Sequence, residues 1–518
     1  MSATARADAP TRTAQLPRWW PLAALTLGAA VLRLSTLDLQ SFWYDEAFTP
    51  VHVLHSSLGS TLSAMVHSEN SPPLWYLLEW LDSRILGTGE VALRLPSALA
   101  GIAAVPVAWA LGAELGGRRC AIACAALLAA SPLFVWYSQE ARVYGLFALT
   151  SALALLFFLR AERDPTPRSL AAFAVAAAAA LLTHYFAVFM LAAMALWLLR
   201  AEPARRRSLP ALTAIAVVGL ALLPLISAQG GHGTQWIGRW PLSERLAAIP
   251  QYLLLGASGE PLGHGVELIV ALPLLACVAL GLWRLSDRPT SGTAHSGASG
   301  SAGAAAGRTP ERAAAIVAFI AACGVGLPLV LIAFGADYLA PRNLIGAMVP
   351  VTALIAVLGS SPQAGRAGAI LLVTGVVALA AITVDVDLSP RLQRGDWRGV
   401  ADALRTGTAV ASARAITTVE LGAAPLEYYL PGLRNLHAGA NVRVSEIDES
   451  GYSPLRSSAG KPPAPGFVLR QRLDVHGLIT YRFVAPAARF VSEAELRRHV
   501  ITLARPEVLV AADATVQP

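Results

Sequence analysis

Long apolar runs broken by short polar stretches fill the first three quarters of the chain. A helix needs about 20 apolar residues to cross the hydrocarbon core of a bilayer. Runs of this kind lie near 19–37, 95–113, 120–138, 143–159, 169–183, 184–199, 209–228, 266–283, 313–335, 343–359 and 367–384, eleven in all. The stretch 169–199 carries no charge over 31 residues, long for one helix and short for two, and a turn near His184 divides it. A polar loop, 38–94, follows the first run, and a polar segment, 386–518, follows the last. In that segment 396–406 and 492–499 have a helical pattern. The runs 415–420, 441–446, 467–474 and 478–485 read as strands, and Asp474-Val-His-Gly477 offers a turn. The pattern predicts an α-helical polytopic membrane protein with a small C-terminal α/β domain.

Composition agrees. Of the 518 residues, 55% are hydrophobic and 14% charged, against about 25% charged in a soluble protein. Mean hydropathy is +0.54. A water-soluble globule, a disordered chain and a disulfide scaffold are excluded. Lysine and arginine total 40, with Lys461 the single lysine, and they sit between apolar runs. A nucleic-acid partner, which needs cations clustered on one soluble face, is not expected. Cys120, Cys124, Cys277 and Cys323 lie in apolar runs, without zinc spacing.

The positive-inside rule sets an orientation. With the N-terminus in the cytoplasm, the inner segments hold 17 arginines and the outer ones six. Residues 1–18 are then a cytoplasmic tail and 19–385 the transmembrane domain. Within that domain 38–94 is an outer loop, and the inner loop 285–312 holds a Gly/Ser/Ala linker expected to be disordered. Residues 386–518 form an extracytoplasmic domain. The first run lacks a clear cleavage site and reads as a retained anchor. The chain is placed as a multi-pass protein of the plasma membrane.

Candidate chemistry gathers on the outer side. Ser41-Phe-Trp-Tyr-Asp-Glu-Ala-Phe48 puts two adjacent carboxylates, Asp45 and Glu46, just beyond the first run. On the residues alone, a solvated acidic pair beside an interfacial aromatic belt is the plainer reading. Glu69-Asn-Ser-Pro-Pro leads into a helix with Leu74, Trp75, Leu77, Leu78 and Leu81 on an apolar face and Glu79, Asp82 and Arg84 on a polar one. Its length suits a helix lying on the membrane surface. The second outer loop, Trp136-Tyr-Ser-Gln-Glu-Ala-Arg-Val-Tyr144, carries Glu140 and Arg142, which read as a helix-end salt bridge or as site groups. His184 reads as a ligand contact or a structural histidine, and Arg342 as a site cation or an anchor that snorkels.

Taken together, these segments resemble the polyprenyl-phosphate-dependent glycosyltransferases of the GT-C fold, specifically the protein O-mannosyltransferase and aminoarabinose-transferase superfamily. The resembling residues are Trp43-Tyr-Asp-Glu-Ala47, Asn70-Ser-Pro-Pro-Leu-Trp-Tyr-Leu-Leu78, Leu93-Arg-Leu-Pro-Ser-Ala-Leu-Ala-Gly101 and Tyr137-Ser-Gln-Glu-Ala-Arg-Val-Tyr144. Thr183-His-Tyr-Phe186 and Tyr338-Leu-Ala-Pro-Arg-Asn343 are also similar. The likeness covers about 40–390 and is strongest before 200.

The resemblance implies a GT-C-like membrane domain. It implies transfer of a sugar, mannose or another hexose or pentose, from a polyprenyl-phosphate carrier to a hydroxyl of a protein, lipid or glycan, with inversion, at the outer face. Asp45 would be the base, with Glu46 and Glu140 as further catalytic carboxylates. Arg142 and Arg342 would hold the donor phosphate, and Glu69, Asn70, Tyr144 and His184 would line the substrate site. A divalent cation, Mg or Mn, is an open question, with Asp45 and Glu140 as its candidate ligands. Relatives often place His or Lys just before the Pro-Pro pair, where this chain has Asn70-Ser71. The C-terminal domain is expected to tune acceptor choice and not the chemistry. A transporter or flippase, or a degenerate transferase acting as a scaffold, is the alternative. Absence of an internal repeat, and ionisable groups concentrated at the outer surface, favour the enzyme.

Overall fold

The computed structural model describes residues 19–200, 202, 204–256, 264–286, 308–407, 411–499, 501–502 and 505–517. The expected N-terminal tail and most of the expected linker in 285–312 lie outside these residues.

Seven helices are long and apolar enough to cross a membrane: Glu90–Ala130, Tyr144–Arg163, Ala204–Gln229, Gly265–Ser286, Pro310–Ala333, Pro341–Ser360 and Gly365–Leu388. Three shorter apolar helices, Trp20–Leu34, Pro167–Thr183 and Ala187–Leu199, join them. The longest is two arms. Gly116 and Gly117 leave helical geometry, Gly117 with φ +74°, and the chain reverses there. The arms pack closely, since a Cβ on Gly112 would lie 2.5 Å from the Cys120 carbonyl oxygen. The predicted runs 95–113 and 120–138 are these two arms. The uncharged stretch also divides as its pattern predicts: Thr166 caps the first helix, which ends at Thr183, and the second begins at Ala187.

Carbonyls at a helix C-terminus lack intrahelical partners, and lipid offers none. Two buried side chains meet this need at the C-terminal ends of the first helix and the second arm. Arg33 donates to the carbonyls of Leu128 and Ala129 at 3.3 and 3.2 Å. Gln139 reaches back to the carbonyl of Leu32 at 3.0 Å.

The first loop is helical in pieces: Tyr44–Phe48, a π-helical turn Thr49–Val53, Leu58–Ser68 and Leu74–Ile85. The last falls where a helix is expected, but its faces differ from the expected ones. Trp75, Tyr76, Glu79 and Ser83 turn inward, and Leu78, Leu81 and Ile85 are exposed. Burial pushes the Glu79 carboxyl well above the usual carboxylate range.

The C-terminal domain is built on a mixed sheet of seven strands: β1 (Arg414–Val419), β2 (Leu433–Asn435), β3 (Asn441–Tyr452), β4 (Val468–Val475), β5 (Leu478–Ser492), β6 (Pro506–Ala511) and β7 (Val516–Gln517). The order is β2-β6-β1-β3-β5-β4, with β7 against β3. Only the β1–β3 pairing is parallel among the described strands. Alternation along the strands feeds two cores. Ile416 and Leu509 pack with Trp397, Val400 and Leu426 from helices Trp397–Arg405 and Ala423–Tyr429. Val442, Val444, Phe483 and Val508 pack with Leu496. The β4–β5 turn is the expected one, with His476 at φ 49° and Gly477 at φ 88°, the positive pair that a two-residue hairpin requires.

Candidate active site

Adjacent residues on a helix point about 100° apart, and this divides the acidic pair. On Tyr44–Phe48, Glu46 turns into the protein and Asp45 turns into a cavity. Glu46 is fully buried. Arg94 grips it with two bonds of 2.7 and 2.8 Å, the Ala141 N–H donates at 2.9 Å and Arg394 at 3.0 Å. Burial alone would raise this carboxyl, but Arg94 and Arg394 overcome it and hold the group below the usual carboxylate range. Arg94 also donates to the carbonyls of Leu37, Gln40 and Ser41. Glu46 is therefore the latch of the loop and has no face on the cavity, contrary to the catalytic role expected for it.

Asp45 lines the cavity and accepts Arg342 Nη1 at 2.7 Å. Arg342 stands on the short 3-10 turn Pro341–Leu344. Its guanidinium lies 5.3 Å from the ring of Trp236, 5.8 Å from Trp43 and 5.9 Å from Tyr144. Its side chain lines the cavity rather than reaching out along the surface. Arg142 is tied elsewhere. It makes a bidentate pair with Glu69, both bonds 3.0 Å, and donates to the Asp45 carbonyl at 3.2 Å. That pairing replaces the helix-end bridge to Glu140 that the spacing suggests.

Glu140 is fully buried and does not reach the cavity. Its Oε1 accepts the Trp43 indole N–H at 3.0 Å, and Arg394 approaches Oε2 at 3.5 Å. Burial pushes its carboxyl up to about 7, against the pull of Arg394 and with a further push from Glu46. Glu69, Asn70, Tyr144 and His184 all line the cavity. Asn70 donates to the His232 carbonyl at 3.3 Å. His184 stacks on Phe147 at 4.6 Å, and its Nδ1 accepts the Phe186 N–H, which leaves Nε2 to carry the proton.

The cavity encloses about 1390 Å³. Its polar end holds Asp45, Glu69, Asn70, Arg142, His184 and Arg342. An apolar furrow continues from it between helices, past Leu191, Ala195, Leu212, Ala216 and Leu220. Glu420, Leu421, Tyr452 and Arg505 of the C-terminal domain close the other side. The cavity thus joins a charged end to a long apolar one. Among the described residues, no group of three or more His, Cys, Asp or Glu side chains gathers as metal ligands. Asp45 and Glu140, the expected pair, each face an arginine.

Several site residues carry little sequence signal. Trp43 reads as part of an interfacial belt, yet it is the wall between Glu140 and the cavity. Arg394 lies 348 residues from Glu46, so only the tertiary fold brings it in. Arg94 had a usable signal, a lone arginine inside an otherwise apolar motif.

Residues 70–228 match the family model for dolichyl-phosphate-mannose-protein mannosyltransferases. Among solved structures, ArnT from Cupriavidus metallidurans bound to undecaprenyl phosphate superposes with a TM-score of 0.55 at 12% identity, over 91% of this chain and 99% of that one. Its apo form gives 0.54 at 12% identity, over 89% and 97%. No curated protein sequence matches the chain. The chain has the GT-C fold, a fold of membrane glycosyltransferases, with a small C-terminal sheet domain.

Proposed function

We propose that the protein is a membrane glycosyltransferase that moves a sugar from a polyprenyl-phosphate carrier to a hydroxyl acceptor at the outer face, with inversion. One observation carries this reading: an apolar furrow runs into a polar chamber where a carboxylate and an arginine meet, Asp45 and Arg342 at 2.7 Å. The bound undecaprenyl phosphate of the similarly folded ArnT supports the same class of carrier. The excess of arginine in the segments assigned to the inside supports an outward-facing chamber.

The chemistry follows from the groups present. The acceptor oxygen attacks the anomeric carbon as the bond from that carbon to the phosphate oxygen breaks, and a single displacement inverts the centre. Asp45 takes the acceptor proton. The polyprenyl phosphate leaves with the bonding electrons, and Arg342 stabilises its charge through two parallel N–H donors. Arg342 replaces Arg142 as the first candidate for the phosphate, because Arg142 is committed to Glu69. It also supplies the cation that Asn70-Ser71 lacks. Asn70 and the Nε2–H of His184 are left to orient the sugar.

The test is release of polyprenyl phosphate by purified protein from a panel of polyprenyl-phosphate sugars, mannose first, with Asp45→Asn as control. Movement of intact donor between leaflets, without cleavage, would favour the flippase instead.

A further inference from the structure

The polar chamber is backed by a second layer of charge that the chemistry above does not use. Glu46 and Glu140 are both fully buried behind it. Two buried carboxylates need two countercharges, since an unpaired ion away from water is costly. Arg94 supplies one, from the membrane domain. Arg394 supplies the other, from the segment that joins the last membrane helix to the C-terminal domain. It bridges the two acids, 3.0 Å from Glu46 and 3.5 Å from Glu140. Among the described residues no other cation comes within ion-pair range of Glu140.

Arg394 also packs on the chamber wall itself. Its guanidinium lies 4.5 Å from the ring of Trp136 and 5.7 Å from that of Trp43. Trp43 is fixed by its bond to Glu140, faces the cavity and carries Arg342 over its ring. Asp45 is two residues further on and is held by Arg342. The positions of the candidate base and of the phosphate cation are thus set against one indole, and Arg394 sets the indole.

We propose that Arg394 is a positioning residue of the transfer reaction, through which the C-terminal domain governs turnover and not only acceptor choice. The proposal rests on the functional reading above. A purely structural strap would act by attachment alone, and the same segment provides a control for that. Arg398 ties it to the membrane domain through Glu90 at 2.6 Å and touches neither Trp43 nor the two acids.

Two measurements on the full-length protein test it. In protein labelled with 5-fluorotryptophan, the Trp43 resonance, assigned by its loss in Trp43→Phe, is expected to move in Arg394→Gln and to stay in place in Arg398→Ala. With polyprenyl-phosphate mannose, or whichever panel sugar the wild type cleaves, Arg394→Gln is expected to lower kcat at least about tenfold with donor KM within about threefold. Arg394→Lys keeps the charge and should recover part of the loss. An unmoved Trp43 resonance in Arg394→Gln overturns the proposal, and so does an equal loss of kcat in Arg398→Ala. Absence of cleavage by the wild type on every donor defeats the functional reading instead, and leaves the fluorine result to decide what Arg394 holds.

Discussion

Neighbouring residues in this chain take opposite fates, and the acidic pair is the clearest case. Glu46 is spent on Arg94 and Arg394, while Asp45 reaches the cavity. Asp45→Asn is expected to lower kcat by about 100-fold or more while binding of undecaprenyl phosphate persists. Wild-type turnover by that variant would remove Asp45 as the base. Arg342→Ala is expected to cost about 2–4 kcal/mol of transition-state stabilisation, or roughly 30- to 1000-fold in rate. Arg142→Lys should act on folding, by breaking a buried bidentate pair, and thermal melting separates the two effects. Glu140 gives a pH test. Its folded-state value is raised from 4.5 to about 7, so its contribution to stability is complete below 4.5 and is lost as pH rises through about 7. Glu140→Gln keeps an acceptor for the Trp43 indole and carries no charge. Its melting temperature should exceed wild type at about pH 8 and approach it at about pH 5. An equal difference at both pH values would reject this account.

At the scale of elements, the spans were legible and their use was not. Apolar length is a local property, so the two runs on either side of Gly116-Gly117 and the stretch divided at His184 could be read directly. The twelve- and fifteen-residue strands β3 and β5 exceed the runs expected for them. Beyond 446 the strand β3 carries Asp448 and Glu449, which break the apolar alternation. They are buried because Arg482 and His499 meet them at 2.9 and 2.7 Å. Strand β6 and helix Ala423–Tyr429 were missed, being only six and seven residues long. The apolar furrow is an element-level feature with its own test. Ala195→Phe or Ala216→Phe is expected to raise KM for a long-chain donor by about tenfold or more, and to leave a short-chain donor within about threefold. Equal effects on both chain lengths would place the lipid elsewhere.

For the whole molecule, the two domains are joined by hydrogen bonds and ring packing as well as by the backbone. Tyr429 accepts no such distance in sequence as a barrier: its hydroxyl takes the Phe42 N–H at 2.7 Å, and Tyr428 packs on the Phe42 ring. Trp397 and Gly395 bracket the Ser41 hydroxyl at 3.0 and 3.1 Å. None of this docking was legible, because each bond joins residues more than 300 positions apart. The acidic pair was found because Asp45 and Glu46 are adjacent, whereas two of their partners, Arg342 and Arg394, come from much later in the chain. The arginine asymmetry makes an orientation prediction. A reporter fused to the C-terminus is expected to be active only outside the cytoplasm, and cytoplasmic activity would refute the arrangement.

The surface helix Leu74–Ile85 bears on where the reaction takes place. Its exposed row, Leu78, Leu81 and Ile85, suits the boundary between headgroups and acyl chains. The same helix starts three residues after Ser71, in a wall of the chamber. The row is expected to act as a waterline that sets the height at which the chamber floats. An acceptor hydroxyl held far above the membrane stays out of reach, however well its shape fits. Replacing the row with glutamines should let the loop ride higher, and transfer should fall more for an acceptor anchored in the bilayer than for the same acceptor free in solution.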